Sequence, residues 1–247
     1  MTTATKQKAR ERAAVRALSR SALYQMLSQA LAYPSKEAVA ALQEVDLPLA
    51  QQAAANLSAA VAPLLAALQE QLAAMTVTDL QAEHRRIFTH SVSPDCPPCE
   101  TFYTAHHIFQ ETNDLSDIGG FFRAFGLEMG DKERLDHISV ELEFMHFLTY
   151  KEAYALEHHG RAKARLCREA QLKFMQDHLG RWAPQFARRL GQKAGGSSFG
   201  CVASLLETFV SAEIELLGAQ PEAADADPRS RPGGPEDFTC PAVGGCP

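Results

Sequence analysis

The chain has no apolar run approaching the roughly 18–20 residues that a helix needs to cross a bilayer, so no membrane-spanning segment is expected. It also lacks a basic excess. Thirty acids against 24 Lys and Arg leave a formal charge of −6, which argues against bulk nucleic-acid binding. β-Branched residues are sparse and alternating apolar patterns are hard to find, so nothing predicts a sheet. Gly-x-x-x-x-Gly-Lys-Ser/Thr is absent, which excludes a phosphate loop of that type. Gly-x-Ser-x-Gly is absent too, and with it the nucleophile elbow of an α/β-hydrolase. The basic stretch at 6–20 has no apolar centre and so does not read as a secretory signal. Its first ten residues carry no acid, which leaves an organelle transit peptide as the alternative. The apolar series Val15, Leu18, Ala22 and Met26 instead runs on smoothly as the start of a first helix. The expected compartment is the cytoplasm, where the six Cys remain thiols or bind metal rather than forming structural disulfides.

What the chain does have is Ala and Leu in abundance. With 247 residues and 46% hydrophobic content, it is long enough for one sizeable core. The composition predicts an all-α fold, a single helical bundle over residues 1–218. Leu18, Leu23, Leu27 and Leu31 define the apolar side of a helix at 10–32, which Tyr33-Pro34 ends. Ser35 caps a helix at 36–44. Further helices are expected at 49–74 (with a break near Pro63), 80–88, 101–111, 114–125, 161–178, 183–190 and 201–217. Pro184 falls in a tolerated first turn, and Gly195-Gly196-Ser197-Ser198 reads as a flexible joint. Residues 91–100 hold three prolines and predict an ordered loop. Residues 219–247 are rich in Pro, Ala, Asp and Gly and predict a disordered tail ending in a Cys pair, Cys240 and Cys246.

The densest chemistry lies in Glu133-Arg134-Leu135-Asp136-His137-Ile138-Ser139-Val140-Glu141-Leu142-Glu143-Phe144-Met145. A helix over 133–157 would stack Glu133, His137 and Glu141 at spacings of four, with Asp136 beside them. A histidine among carboxylates suits proton transfer, metal binding or the docking of a partner. Carboxylates at a helix start are also favoured by the macrodipole without any function.

The other candidates are weaker. Glu143-Phe144-Met145-His146 has the Glu-x-x-His spacing of di-iron bundles, but the required second copy is missing. Cys96-Pro97-Pro98-Cys99 has the spacing of redox and zinc sites without the βαβ setting of a thioredoxin. Zinc or iron–sulfur binding there would draw two more ligands from Cys240 and Cys246, and this metal- or redox-active reading is the alternative function. The pairs His106-His107 and His158-His159 diverge by about 100° on a helix, so neither readily chelates one ion.

Several motifs together resemble a known family, the TorD/DmsD/NarJ group of molybdoenzyme maturation chaperones. They are Leu31-Ala32-Tyr33-Pro34; Glu83-His84-Arg85-Arg86-Ile87-Phe88; Pro97-Pro98-Cys99-Glu100-Thr101-Phe102-Tyr103; and Glu133-Arg134-Leu135-Asp136-His137 running into Glu141-Leu142-Glu143-Phe144-Met145. Asp117-Ile118-Gly119-Gly120-Phe121-Phe122-Arg123 and Asp177-His178-Leu179-Gly180-Arg181-Trp182 look most like the branch serving type II enzymes of the dimethyl sulfoxide reductase family, such as perchlorate, chlorate and selenate reductases or dimethylsulfide and ethylbenzene dehydrogenases. The resemblance spans residues 16–217. It implies a non-catalytic, cofactor-free, cytoplasmic protein, monomeric or a domain-swapped dimer. Such a protein binds the apo catalytic subunit of a molybdopterin oxidoreductase, or its twin-arginine leader, before export. By the same resemblance Glu133, Asp136 and His137 are recognition positions, with Tyr33 and Tyr103. A leader with two guanidinium groups and an apolar stretch needs carboxylates beside an apolar groove. Asp136, Glu133 and Glu141 are the candidate acids, and Phe121, Phe122, Phe125, Phe144 and Met145 the candidate groove.

Overall fold

A computed structural model describes residues 3–44, 50, 57–88, 95–128 and 134–224. Among these residues the structure is all-helical, and its only strand-like feature is an isolated antiparallel bridge between Cys99 and His137. The helices are α1 (Thr3–Leu31), α2 (Lys36–Gln43), α3 (Val61–Ala73), α4 (Val77–Phe88), α5 (Thr101–Thr104), α6 (Ile108–Ala124), α7 (Ile138–His158), α8 (Arg161–Phe174), α9 (Gly180–Ala194) and α10 (Ser198–Leu217). A π-helical turn, Met175–Leu179, joins α8 to α9 without a break.

Helices α1 and α7 form the longest interface and run antiparallel. Ala14 meets Ala155 and Leu156 at one end. In the middle Ser21 Oγ lies 2.9 Å from His146 Nδ1, and at the far end Ser28 Oγ donates to the Ser139 carbonyl at 2.8 Å. Small residues let the two backbones approach, and the hydroxyls fix the register. Helices α3, α9 and α10 close the other side around Trp182, Phe186, Phe209, Leu65 and Leu68, all fully buried. Each such side chain contributes about 1.5–3 kcal/mol when removed from water.

The interior also holds charge. Arg20 Nε donates to Glu213 Oε1 at 2.8 Å and Nη2 to Oε2 at 2.7 Å. The same guanidinium reaches Gln171 at 2.7 Å and Glu152 at 3.2 Å, while Tyr24 donates to Glu213 at 2.8 Å. This cluster ties α1, α7, α8 and α10 together. Burial opposes the Arg20 charge, but Glu213 outweighs it and the pKa is raised.

Local structure departs from the sequence expectation in several places. Helix α7 begins at Ile138, not at 133, because His137 is its N-cap: the Ser139 N–H donates to His137 Nδ1 at 3.2 Å. The Glu133–His137–Glu141 stripe is therefore not built by this helix, and Glu133 lies outside the described residues. The helix expected at 101–111 stops after Thr104, and α6 restarts at Ile108 with His107 as its cap, then runs unbroken past Asp114. Helices expected at 161–178 and 183–190 are one continuous rod through the π turn. Gly195 takes φ +61 and accepts α10 so closely that a Cβ on Gly200 would strike the Gly195 carbonyl; this joint is tightly packed.

Residues 219–224, expected to open the tail, run back over α9. Ala219 is buried, the Pro221 ring lies over Gly180, and the Ala224 N–H donates to the Arg181 carbonyl at 2.9 Å. Cys240 and Cys246 lie outside the described residues.

Candidate functional site

The acid–histidine motif and the proline loop, far apart in sequence, are clipped together by backbone bonds. The Ile138 N–H donates to the Pro98 carbonyl at 2.8 Å, and the Glu100 N–H donates to the Asp136 carbonyl at 2.9 Å. The side chain of Asp136 completes the clip. Its Oδ2 accepts from the Thr101 N–H at 3.2 Å and from Thr101 Oγ1 at 2.7 Å, and Arg134 Nε donates to Oδ1 at 2.9 Å. Burial works against the Asp136 charge, but Arg134 and Thr101 prevail and hold its pKa below the usual carboxylate range. Tyr103 O–H donates to the Pro97 carbonyl at 3.0 Å and pins the other end of the loop. A loop with three prolines makes few backbone bonds of its own, so these outside partners give it its shape.

Beneath the clip lies a line of buried ionisable groups. Glu141 is 0% exposed and accepts from Trp182 Nε1 at 3.1 Å through Oε2. Glu100, also fully buried, faces it on one side and His178 on the other. His178 Nδ1 lies 3.2 Å from both Glu100 oxygens, and its Nε2 lies 3.2 Å from Asp117 Oδ2. Burial lifts the pKa of both acids: the Glu100 charge pushes Glu141 further up against the Trp182 hydrogen bond, whereas His178 and the Glu141 hydrogen bond partly hold Glu100 down. Burial would lower His178, but its two carboxylate neighbours raise it.

On the other side of His137, Tyr33 is exposed and its hydroxyl accepts from Arg85 at 2.9 Å. Its ring meets His84 edge-on at 5.3 Å, and His84 packs on Phe88 and Phe199. Desolvation pushes His84 down to about 4, with His137 and Arg85 adding to it, and desolvation likewise takes His137 down to about 4.

Of the residues expected to meet a partner, the structure brings Asp136, His137, Glu141 and Tyr103 into one region. Asp136, Glu141 and Tyr103, however, face inward with no surface to offer. Asp136 and Tyr103 spend their polar atoms on the clip, and with four donor contacts from Thr101 and Arg134 the Asp136 carboxylate has little left for a ligand, while Glu141 lies in the buried line beneath. Only half-buried His137 and exposed Tyr33 reach solvent. Of the aromatic groove, Phe122, Phe144 and Met145 are core, while Phe121 and Phe125 pack partly buried against it. Sequence reasoning missed Arg134, Glu100, His178 and Trp182 as a connected unit. The only signal was that two motifs, Pro97–Tyr103 and Asp177–Trp182, each carried an unexplained polar residue.

The cysteine reading finds little support. Cys96 and Cys99 are buried free thiols; desolvation pushes Cys96 up to about 12 and Cys99 higher still, which removes thiolate reactivity. Among the described residues no group of three or more His, Cys, Asp and Glu is placed to hold a metal. His146 of the Glu-x-x-His spacing bonds to Ser21 instead, and Glu143 is exposed. No helix among the described residues is long and apolar enough to cross a membrane.

Helix α6 borders the clip: Glu111 accepts from Arg134 at 3.1 Å, and Asp114 accepts from Thr104 Oγ1 at 3.0 Å. Ile108 and Phe109 stand out at its start, 71% and 76% exposed. Glu111, Asp114 and Asp117 follow at spacings of three along one side.

A family model described as nitrate reductase delta subunit matches residues 50–188, which include the loop, the clip, the buried line and α6. The chain belongs to that family. Among curated relatives, the perchlorate reductase assembly chaperone protein of Dechloromonas aromatica (strain RCB) is 29% identical over 208 residues, covering 82% of this chain and 91% of the relative. The selenate reductase assembly chaperone protein of Thauera selenatis is 33% identical over 108 residues, or 43% of this chain and 54% of the relative. Both relatives are named for reductases, perchlorate and selenate, that also mark the branch the sequence motifs resemble. All the clip residues fall inside the span that defines the family.

Proposed function

We propose that this chain is a non-catalytic assembly chaperone that binds the apo catalytic subunit of a molybdenum reductase in the cytoplasm, engaging its twin-arginine leader. The observation that carries the reading is the docking face bordering the clip. Ile108 and Phe109 offer apolar area, and beside it Asp117 offers an exposed carboxylate, with half-buried Glu111 and Asp114, to which Arg134 and Thr104 already donate, adding negative charge. A leader with two guanidinium groups followed by an apolar stretch complements that order. Tyr33 and His137 flank the same clip and extend the contact. Asp136, Glu141 and Tyr103 contribute by holding the loop rather than by touching the partner, and Glu133, outside the described residues, is kept as a recognition position on sequence grounds alone. The names of the perchlorate and selenate reductase relatives support the same class of client.

Co-expression with the catalytic subunit tests this. The chain should co-purify with a cofactor-free subunit, and a synthetic leader should bind in calorimetry with a strong salt dependence, because guanidinium–carboxylate contacts are screened. Co-purification without leader binding would move the contact to the mature subunit. Absence of both would overturn the proposal.

A further inference from the structure

Glu141 poses a problem as an ordinary carboxylate. Its Oε2 has the Trp182 donor, but Oε1 is buried with no hydrogen-bond partner. A buried unsatisfied oxygen of that kind costs about 1–3 kcal/mol, more when charged. Its neighbour Glu100 brings only acceptors if ionised. One proton removes the difficulty: a neutral Glu141 donates to Glu100, and Glu100 keeps a single charge. On its other side Glu100 meets His178, whose two ring nitrogens both face carboxylate oxygens at 3.2 Å. A neutral imidazole has one donor and one acceptor, so only the doubly protonated ring satisfies both contacts.

We infer that Glu141, Glu100 and His178 are positioning residues forming a proton-loaded clamp, neutral Glu141 donating to Glu100 and a cationic His178 bridging Glu100 to Asp117, which holds the proline loop against the 136–138 segment. The line runs from the fully buried Glu141 to Asp117, whose side chain is 65% exposed, so protons have a route to solvent. The other charged or titratable groups around it are few. Asp136 and the neutral thiol of Cys99 lie on the Glu141 side, Asp114 on the Glu100 side, and the rings of Phe121 and Phe174 cover His178. Arg134 neutralises Asp136, and Lys173 pairs with Asp177 on the π turn itself at 3.8 Å.

The backbone is shaped for this contact. His178 sits in the π turn, and Gly180 follows it because a Cβ there would strike the Met175 carbonyl. A π turn re-aims side chains relative to a regular helix and is frequent at functional sites.

The sign of the pH effect is the same for the two groups whose protons the clamp holds, Glu141 and His178. Burial raises Glu141 and Glu100 above the unfolded carboxylate, and the carboxylates raise His178 above free histidine. The clamp therefore keeps these two protons at neutral pH and is lost as pH rises through the folded values of Glu141 and His178. Alkaline conditions release the loop. Where Asp117 also binds a client cation, as the proposed docking face has it, that cation competes with His178 and docking becomes proton-linked. That consequence rests on the docking reading; the clamp itself does not.

The test therefore uses the full chain alone. At pH 7 its infrared spectrum in D2O should show the C=O stretch of a protonated carboxyl, absent in Glu141→Gln. Amide exchange of Glu100, Thr101 and Ile138, corrected for intrinsic rates, should quicken on the alkaline side by up to about tenfold per pH unit for each proton released. Glu141→Gln keeps a donor for Glu100 and an acceptor for Trp182 without a titrating group, so it should fold and flatten that slope. His178→Gln should weaken loop protection at every pH. A wild-type spectrum without the band, or a Glu141→Gln protein with an unchanged slope, would overturn the clamp. Leader binding plays no part in either measurement, so a failed docking proposal would leave the result intact.

Discussion

Arg20 and Glu213 lie 193 residues apart and meet in the interior through three hydrogen bonds at 2.7, 2.8 and 3.0 Å, both side chains almost fully enclosed. Such a pair is costly to break from one side, since the partner is left buried and charged. Glu213→Ala should destabilise the protein by about 3–5 kcal/mol in urea unfolding. Replacing both residues with Met should recover part of that loss. A single mutant within 1 kcal/mol of wild type would mean that water reaches the cluster.

Acid should weaken the fold in a defined window. His84 and His137 are neutral and held down to about 4, chiefly by desolvation, whereas the unfolded chain takes up these protons near ~6.5. Between those values the unfolded state binds more protons, so stability falls as pH drops, by up to about tenfold in the folding constant per unit for each histidine. Asp136 adds a second loss at lower pH, as its depressed carboxylate is protonated and the Arg134 and Thr101 bonds are given up. Urea midpoints across pH 4–7 measure this. His84→Gln should reduce the slope, and an unchanged slope would remove His84 as a contributor.

Much of this architecture was legible in the chain. The proline stop after Tyr33 and the cap at Ser35 follow from short-range rules and appear in the structure, and of the expected apolar leucines of α1, Leu23, Leu27 and Leu31 are buried while Leu18 is exposed. The start of α7 did not follow, because His137 became a cap through a bridge to Cys99, a contact across 38 positions that no periodicity encodes. The same limit hid the buried line. Glu100 and His178 are 78 residues apart, and an acid in a proline loop gives no hint that an imidazole in a π turn will meet it. Patterns reveal which face of a helix is apolar, whereas the pairing of buried polar groups is decided by packing.

Residues 219–224 should behave as part of the body. Ala219 is buried and Pro221 and Ala224 lie on α9. A chain ending at Leu217 should lose about 1–3 kcal/mol through this burial and the Ala224–Arg181 bond. One ending at Ala224 should keep all of it. Thermal melting of the two truncations decides the point: equal transitions would show that the segment adds nothing.

Gly180 should tolerate no side chain. In Gly180→Ala the new methyl meets the Met175 carbonyl and the Pro221 ring, so either the π turn reverts to regular helix or the 219–224 segment lifts. Overpacking of this kind costs about 1–3 kcal/mol. Reversion would also swing His178 away from Glu100 and Asp117. Its imidazole resonances should then titrate near a free histidine, at lower pH than in the wild type, where the carboxylates raise the value. A wild-type titration in a folded Gly180→Ala protein would show the turn to be independent of that glycine.

The docking face predicts a separation between binding and stability. Ile108 and Phe109 are among the most exposed large apolar residues and contribute little to the core, so Ile108→Ser with Phe109→Ser should leave the thermal transition within a degree or two. Exposed aromatic and aliphatic anchors are what a partner covers, and losing two of them should weaken leader or client binding by about tenfold to a hundredfold. Asp117→Asn should act differently: it removes a carboxylate from the face and a partner from His178, so it should lower both affinity and its salt dependence. Calorimetry against the leader at two salt concentrations separates the cases. Full affinity in the double serine variant would place the contact elsewhere, with Tyr33 and His137 the next residues to substitute.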